Sequence, residues 1–589
     1  MKKILLLSVV LLLAATCLLA CNKEKAPDTD TSATSSPDTT QQDTVDNTEY
    51  LKVAANKESD FKIVIPKELS KNDYSYSLSF DLQKKIKALT GANLSVVDDW
   101  VKDGADTTAD FEIVIGDCNR QVVEDNCNSF DKNQYGYMVS GNKIFVYGWN
   151  ESSLSDAVEL LTSNLTKNYD KESKTLRFAT DTFVKQTNKD WRVEFPTFAD
   201  GKYDGFICSG IDNLLYYYTD TTSQQYSAYV GGLSAEGYEQ VYTNQIGENL
   251  FGCYKNGQKD TLIYTSYIPA EQTTRITTAP LSKTNFINDS AQTKITDTKI
   301  VQMGLDYENK NSGMCYVIRL EDGRFVIYDG GGNASKDHTK LYELLDSMNA
   351  RQDGIHIAAW VITHEHWDHY ANWIKFCTVY GKDVTVDYLI ANVPDYAMAY
   401  HSNFDPDENG ATYASIIEGQ LASLQGKVKG EMKLVTVQTG QNIKIGNCNI
   451  EVLYTQADLY PNDMANLNDA SLVTRMSFGE GKKTMIFLGD IENTGSQIMI
   501  KRYGNELKSD YCNFAHHGFW DAPIELYDLI NPTILFWSYD QAQANGMVNG
   551  SVDKDSGRHN YLLYRNWYVL NQLNVQTVFY GDTTNEIAP

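Results

Sequence analysis

Apolar and polar positions alternate along the first folded stretch of the chain in an α/β pattern. The runs FKIVIP (61–66) and DFEIVIGD (110–117) have the alternation of half-buried strands. Between them, SFDLQKKIKALTG (79–91) carries apolar residues at helical spacing and ends at a glycine. A hairpin that turns at Gly141-Asn142 follows. We predict an α/β accessory domain over residues 50–190.

A second stretch, residues 191–298, is rich in Tyr and Thr. Its short alternating runs include LLYYYTDT (214–221) and DTLIYTSYI (260–268). Such runs are typical of antiparallel strands, so we predict a small β-rich unit. Exposed tyrosines can form platforms for carbohydrates or peptides, but they are also ordinary strand residues, and we favour the second interpretation.

The first 49 residues have the composition of an export signal followed by a tether. Two lysines precede an apolar run over 4–15, and LLAC (18–21) resembles the cleavage site of bacterial lipoproteins. Residues 22–49 hold many Thr, Ser, Asp and Pro and cannot bury enough apolar surface to fold. We predict a signal peptide over 1–21, a lipid anchor on Cys21, a disordered tether and an extracytoplasmic, membrane-attached protein. An ordinary cleaved signal peptide is the alternative.

The net charge of the chain restricts which classes of macromolecule it is expected to bind. It carries 77 acidic and 51 basic residues, which gives a net charge of −26. Nucleic acid binding requires clustered cations, so this balance disfavours a nucleic acid partner. The 10 cysteines show no C-x-x-C spacing, although Cys118 and Cys127 lie close enough in sequence for a disulfide.

Candidate chemistry is concentrated in the last stretch, residues 299–589. All 9 histidines lie at position 338 or later, and three of them fall within THEHWDHY (363–370). The preceding residues 356–362 are predicted to form a buried strand, so the motif lies beyond its carboxyl end, where ligands collect in α/β layers. Histidines at i and i+2 can reach one metal, and the Asp-His pair that follows can reach a second. Such ligands suit zinc, and also iron or manganese.

The H-x-H-x-D-H motif resembles that of the metallo-β-lactamase fold hydrolases, and further segments match in order. CYVIRLEDGRFVIYDGGG (315–332) is similar to the opening hairpin of that family, and KTMIFLGDI (483–491) to the strand that delivers a bridging aspartate, here Asp490. The resemblance implies an α/β protein with a C-terminal αββα sandwich over 299–589. It also implies two divalent metal ions, zinc in our prediction, with manganese and iron as alternatives.

Within this superfamily, the last part resembles ComEC-type DNA-uptake proteins and the related phosphorylcholine esterases. Asn468 opens an N-x-x-S-L-V segment, and residues 516–518 read His-His-Gly, as in that branch. Asn372 stands where many members have glycine. The middle histidine of most dinuclear members is absent, since its only candidate, His401, lacks the matching context.

The resemblance implies a set of site residues in this numbering. Expected ligands of the first metal are His364, His366 and His517, and those of the second are Asp368, His369 and His559, with Asp490 shared. His516 and Asn468 are expected to stabilise developing charge, and Asp368 to manage the proton. The sequence does not distinguish the roles of His516 and His517, so the two could be exchanged.

The function expected is that of a cell-surface hydrolase of phosphodiester or related esters, small or part of the envelope, acting through a hydroxide that bridges the metals. A ComEC-type nuclease, a β-lactamase or lactonase, and a non-catalytic glycan-binding lipoprotein are the alternatives. Charge disfavours the nuclease, and the missing middle histidine disfavours the lactamase. Because all expected ligands lie beyond residue 299, this part alone is expected to hold metal and hydrolyse a small ester.

Overall fold

A computed structural model describes most of the chain after residue 47. It describes residues 48–589 except for these segments: 67–73, 103–104, 131–133, 149–150, 188–194, 211, 290–291, 307–312, 334–335, 395–415, 463, 465, 480, 520–521, 540, 574, 576 and 581–584. Residues 49–589 form one compact unit. The predicted signal peptide, Cys21, the tether up to residue 47 and His401 lie outside the described residues.

The first part of the described chain contains two sheets and three helices. The strands are β1 Tyr50–Ala55, β2 Lys62–Ile65, β3 Ser95–Asp98, β4 Glu112–Ile115, β5 Gln134–Ser140, β6 Lys143–Tyr147, β7 Tyr169–Asp170, β8 Thr175–Ala179 and β9 Phe183–Thr187. The helices are α1 Tyr74–Thr90, α2 Gln121–Asn126 and α3 Glu151–Asn164. The strand orders are β3-β2-β4-β6-β5-β9 and β1-β8-β7.

This part follows the predicted elements closely. The strand, helix and strand that we expected are β2, α1 and β4, and the hairpin at Gly141-Asn142 joins β5 to β6. The buried Cys118 thiol hydrogen-bonds to the backbone carbonyls of Val64 and Ile115, so it forms no disulfide with Cys127.

The Tyr- and Thr-rich stretch forms one antiparallel sheet of six strands. They are β10 Lys202–Cys208, β11 Leu214–Thr219, β12 Glu239–Ile246, β13 Asn249–Asn256, β14 Thr261–Ile268 and β15 Thr273–Pro280, in the order β10-β11-β15-β14-β13-β12. Helix α4 (Ser223–Gly232) begins with a capping box in which Thr222 and Gln225 bond reciprocally. Most tyrosines of β11 are buried, so the sheet uses them as core residues.

The last part is built on two seven-stranded sheets. The first contains β16 Lys299–Gln302, β17 Cys315–Arg319, β18 Phe325–Asp329, β19 His356–Val361, β20 Thr385–Ala391, β21 Lys433–Thr436 and the C-terminal β29 Asn585–Ile587. The second contains β22 Asn442–Ile445, β23 Cys448–Tyr454, β24 Val473–Ser477, β25 Thr484–Phe487, β26 Tyr511–Asn513, β27 Ile534–Trp537 and β28 Thr577–Tyr580. The two sheets pack face to face through a shared apolar core.

Helices cover the outer face of each sheet. The helices on the first sheet are α5 Asp337–Met348, α6 Trp367–Tyr380 and α7 Ile416–Leu424. Those of the second half are α8 Asn493–Tyr503, α9 Ile524–Ile530, α10 Gln541–Gly546 and α11 Arg558–Asn571. Tyr328 joins the sheets, since its ring stacks on Phe487 and its hydroxyl bonds to Thr474 at 2.9 Å. This is the αββα sandwich expected from the sequence.

A buried ionic cluster, here called the seam, joins the six-stranded sheet to the sandwich. The Arg502 guanidinium of α8 donates to the Glu271 carboxylate at 2.7 Å and also binds Asp458. Arg275 of β15 donates to the backbone carbonyls of Ala457 and Tyr460. Apolar residues of β12, β13 and β14 complete the contact by entering the core under α8.

None of the helices in the described ranges has both the length and the hydropathy that a bilayer crossing requires.

Candidate metal centre

Four strands end at one edge of the sandwich and deliver the side chains of the centre. Strands β18 and β19 run parallel in the first sheet, and β25 and β26 run parallel in the second. Asp329 is the last residue of β18, and His364, Asp490 and His516 lie beyond the carboxyl ends of β19, β25 and β26 respectively. Since the carboxyl ends of parallel strands share an edge, residues far apart in sequence meet there.

The H-x-H-x-D-H motif divides between a loop and a helix. His364 follows β19, and His366 is the N-cap residue of α6. Asp368 and His369 fall in the first turn of α6, where a carboxylate is favoured by the helix dipole. The motif therefore supplies candidate ligands both from the loop after β19 and from the first turn of α6.

Asp490 lies at the middle of the centre and is 1% exposed. Its Oδ2 atom lies 3.1 Å from His369 Nε2, 3.2 Å from His517 Nε2, 3.8 Å from His516 Nε2 and 3.9 Å from His364 Nε2. The Ser471 hydroxyl accepts the backbone N–H of Asp490 at 3.0 Å and so fixes the carboxylate. One oxygen within reach of four imidazoles is the arrangement expected of a shared ligand.

His364 and His366 form the first half of the centre. Nε2 of His364 and Nδ1 of His366 face each other at 3.0 Å. Two imidazole nitrogens on one tetrahedral zinc, each at ~2.0–2.1 Å, would be about 3.3 Å apart. Burial, then the neighbouring His369 and His366 rings, hold the pKa of His364 well below its usual range. A neutral imidazole is the form that binds a metal.

Asp368, His369 and His517 form the second half. Donor atoms of these three residues lie within 4.8 Å of one another, and His517 Nε2 is 3.4 Å from Asp368 Oδ2. The sequence prediction put His517 beside His364 and His366, whereas the structure places it next to Asp368 and His369. It occupies the position that the prediction gave to His559.

The carboxylates of Asp490 and Asp368 make the middle of the centre favourable for positive charge. Burial opposes protonation of His517, but Asp490 and then Asp368 outweigh it and raise its pKa to about 9. Burial likewise favours a neutral Asp490, but His369 and His517 hold its pKa well below the usual range. His369 Nε2, His517 Nε2 and Asp490 Oδ1 are buried and have no hydrogen-bond partner among the described residues. Two divalent cations would satisfy these atoms, so the residues fit a dinuclear site.

Asp329 orients His369, a role that the sequence analysis missed. Its carboxylate accepts His369 Nδ1–H at 2.8 Å, as well as the backbone N–H and the hydroxyl of Thr363. A metal-binding imidazole ordinarily donates its second ring nitrogen in this way. The acidic-glycine turn at 329–331 was the available signal, but sequence alone did not connect it to His369.

The His-His-Gly turn has an unusual backbone. His516, His517 and Gly518 all adopt left-handed φ values, of 48°, 54° and 84°. A non-glycine residue in this region costs about 1–2 kcal/mol. Trp537 Nε1 donates to the His517 carbonyl at 2.6 Å, and Arg565 donates to the Gly518 carbonyl at 2.6 Å. These bonds hold a turn that points two consecutive imidazoles at Asp490.

Comparison with known protein families agrees with this geometry. Residues 309–423, which include the H-x-H-x-D-H motif, match the sequence model of the metallo-β-lactamase superfamily. The chain contains a metallo-β-lactamase superfamily domain. No curated protein matches the chain. Asp490 and His517, the expected ligands from the second sheet, lie beyond the matched residues.

Several solved structures are similar to part of the chain. The metallo-β-lactamase fold protein YhfI from Bacillus subtilis is 13% identical over 49% of this chain and 99% of its own, with a TM-score of 0.30. The diiron β-hydroxylase CmlA from Streptomyces venezuelae is 14% identical over 51% of this chain and 55% of its own, with a TM-score of 0.29. The long form of RNase Z from yeast is 10% identical over 52% of this chain and 44% of its own, with a TM-score of 0.28. The chain thus spans about half the length of the last two.

Asn468, which lies beyond the matched residues, contacts Glu492 and His516. It lies in the short turn Leu467–Ala470, and its Nδ2 donates to Glu492 at 3.0 Å and lies 3.4 Å from His516 Nδ1. One of the two amide hydrogens is therefore engaged by Glu492, and the role of Asn468 in charge stabilisation stays a prediction. Asn468 contacts His516 instead of pointing at Asp490.

His559 and Asn372 lie in two helices of the sandwich, α11 and α6. His559 is the second residue of α11 and is exposed, and the groups of possible ligands among the described residues do not contain it. Its role as a ligand stays a prediction. Asn372, which stands where glycine was expected, is buried and donates to the Gly330 carbonyl at 2.9 Å, so it ties α6 to the turn after β18.

Proposed function

We propose that the chain is a dinuclear metal-dependent hydrolase that cleaves phosphodiester or related ester bonds at the cell surface. The observation that supports this proposal is that Asp490 lies between the His364–His366 pair and the Asp368–His369–His517 group. Two divalent cations, zinc in our proposal, would polarise the ester oxygen there and activate water near neutral pH.

Each residue of the centre has a separate task in this proposal. The two groups of ligands bind and space the cations, and Asp490 is shared between them. Asp368, whose side chain is 18% exposed, is placed to hold the proton of the attacking water. His516, whose side chain is 15% exposed, lies on the open side of Asp490 and contacts the substrate.

The surroundings of the centre favour a small anionic ester over a nucleic acid. The guanidinium of Arg558 lies 3.7 Å from Glu492 beside His516, and its side chain is 52% exposed. One cation at this position can contact a phosphate group, whereas the net charge of −26 opposes a long polyanion.

The proposed location of the enzyme is inferred from the first 49 residues of the chain. We propose that Cys21 carries a lipid and that the tether lets the folded part reach envelope or small-molecule esters. A Cys21→Ser variant should pass from the membrane fraction into the medium. If this variant remains in the membrane fraction and the wild type carries no lipid, the proposed lipid anchor is wrong.

A screen with metal-loaded protein tests the reaction. We expect turnover of bis(p-nitrophenyl) phosphate or a phosphorylcholine ester, and no turnover of single-stranded DNA or a β-lactam. Asp490→Ala should abolish turnover. His356→Ala is the matched control, because His356 bonds to Asp387 at 2.7 Å at the opposite end of β19. Full activity in Asp490→Ala, or no turnover of any ester by the wild type, would refute the proposal.

A further inference from the structure

A small cavity lies beside the seam, between the six-stranded sheet and the sandwich. Residues of β14 and β15, among them Arg275, line one side, and Gln438, Thr439 and residues 455–458 line the other. Its volume is about 30 Å³. This is more than the roughly 10–15 Å³ that one water molecule needs, and far below the ~300 Å³ at which pockets for organic ligands begin. The cavity has room for a monatomic ion or for one or two water molecules.

Two buried N–H groups of the lining residues have no hydrogen-bond partner within the described part of the chain. They are Nε of Arg275 and Nε2 of Gln438, and each of these residues is 5% exposed. Among the described residues that line the cavity, no buried side-chain acceptor lacks a partner in this way. A water molecule has hydrogens to donate as well as lone pairs, whereas an anion only accepts. The lining therefore favours an anion.

Arg275 brings a positive charge that the seam offsets only in part. Its two terminal nitrogens donate to the neutral carbonyls of Ala457 and Tyr460. Its Nη2 lies 3.8 Å from the Glu271 carboxylate, which Arg502 holds more closely, at 2.7 Å. Burial, and then the charge of Arg502, lower the pKa of Arg275 because the attraction of the nearby carboxylates does not outweigh them. A further negative charge beside this guanidinium is consequently favourable.

Asp458 is the carboxylate that lines the cavity, and it is already bound by its own partners. Its Oδ1 accepts from the Arg502 guanidinium. Its Oδ2 accepts the backbone N–H of Thr455 at 2.9 Å and the hydroxyl of Thr439. A charge-assisted bond and two further donors offset the charge of Asp458, so it repels an anion in the cavity only weakly.

We propose that this cavity binds one chloride ion, held by the N–H groups of Arg275 Nε and Gln438 Nε2. The ion accepts both hydrogens and offsets the charge of Arg275. Because Arg275 belongs to β15 and Gln438 to the loop between β21 and β22, the ion joins the six-stranded sheet to the sandwich. None of the expected metal ligands lines the cavity, so the site does not depend on the proposed hydrolase function.

Thermal unfolding of the full-length protein at constant ionic strength tests for halide binding. In sodium chloride or bromide the melting temperature should lie at least about 2 °C above that in sodium gluconate, whose anion is too large for the cavity, and the rise should saturate. Gln438→Met removes one donor and should abolish the difference between the salts. Gln456→Met is the matched control, because Gln456 donates to the Ser209 carbonyl at the same contact. It should lower the melting temperature and keep the difference.

Two results of this experiment would overturn the proposal. One is equal melting of the wild type in chloride and gluconate, and the other is an equal halide effect in Gln438→Met and the wild type. Crystals of the wild type grown in sodium bromide then locate the ion, and they decide the matter if Gln438→Met does not fold. The anomalous signal of bromine should give a peak within hydrogen-bond reach of both Arg275 Nε and Gln438 Nε2. Density for water alone in the cavity would refute the site, even if halide stabilises the protein from elsewhere.

Discussion

Glu271→Gln should destabilise the whole folded unit, although Glu271 lies far from the metal centre in sequence. Its carboxylate pairs with Arg502 in the seam and is 11% exposed. Burial alone would favour the neutral acid, but Arg502, and then Arg275, hold the pKa of Glu271 at about 2, against 4.5 for a free glutamate. The substitution keeps the shape of the side chain, removes its charge and replaces one of the two oxygens that accept from Arg502.

The size of the effect follows from linkage between protonation and folding. A pKa that falls from 4.5 to about 2 on folding corresponds to about 3 kcal/mol of stability. Because the folded pKa is depressed, this contribution is complete above pH 4.5 and is lost as the pH falls toward 2. At pH 3 roughly 1 kcal/mol should remain.

Urea unfolding of the wild type and Glu271→Gln at pH 7 and pH 3 measures this difference. Glu239→Gln is the control, because Glu239 pairs with Lys255 at 3.5 Å on the surface of the same sheet and is 77% exposed. We expect the control to change stability by less than about 0.5 kcal/mol. Equal stability of Glu271→Gln and wild type at pH 7, or a loss that is the same at both pH values, would refute the reasoning.

Three further outcomes follow from the centre and the seam. Elemental analysis of Asp490→Ala should find fewer than two metal ions per chain. His517→Ala should lose one metal ion, and excess zinc should restore its activity. Full metal content in both variants would contradict the assignment of Asp490 and His517 as ligands. Asp329→Asn should weaken metal binding by roughly 10- to 100-fold in competition with a chelator, and unchanged affinity would show that it does not orient His369. A chain that begins at residue 299 should melt well below one that begins at 195, because it lacks half of the seam. Equal melting by circular dichroism would show that the seam does not stabilise the last part, whose expected metal binding and ester hydrolysis stay a prediction.

The parts of the centre that sequence predicted are those set by local spacing. His364, His366, Asp368 and His369 lie within six residues after a buried strand, so the direction of that strand and the start of α6 fix where they point. Asp490 was expected because the segment KTMIFLGDI (483–491) resembles the strand that delivers a bridging aspartate in the metallo-β-lactamase fold hydrolases. In both cases a few neighbouring residues determine the geometry.

The remaining features depend on contacts between distant segments. Glu492 contacts Asn468 only because β24 pairs with β25, which brings together the loops that flank these two strands. In the sequence, Glu492 is only an acidic residue at the start of a helix. Arg502 and Glu271 are 231 positions apart, and an arginine near the end of a helix is ordinarily explained by the helix dipole. His559 was expected at the centre because of its neighbours in sequence, whereas the structure puts it on an exposed helix start.

The left-handed turn at His516 and His517 has a consequence for how this protein can be improved. Glycine would adopt the same backbone without the clash of a Cβ atom, so the two histidines together give up roughly 2–4 kcal/mol of stability. A library selected only for heat resistance should therefore drift toward glycine at both positions and discard the imidazoles. Heat-resistant variants would have to be sought in sheets and helices away from this turn, under simultaneous selection for bound metal.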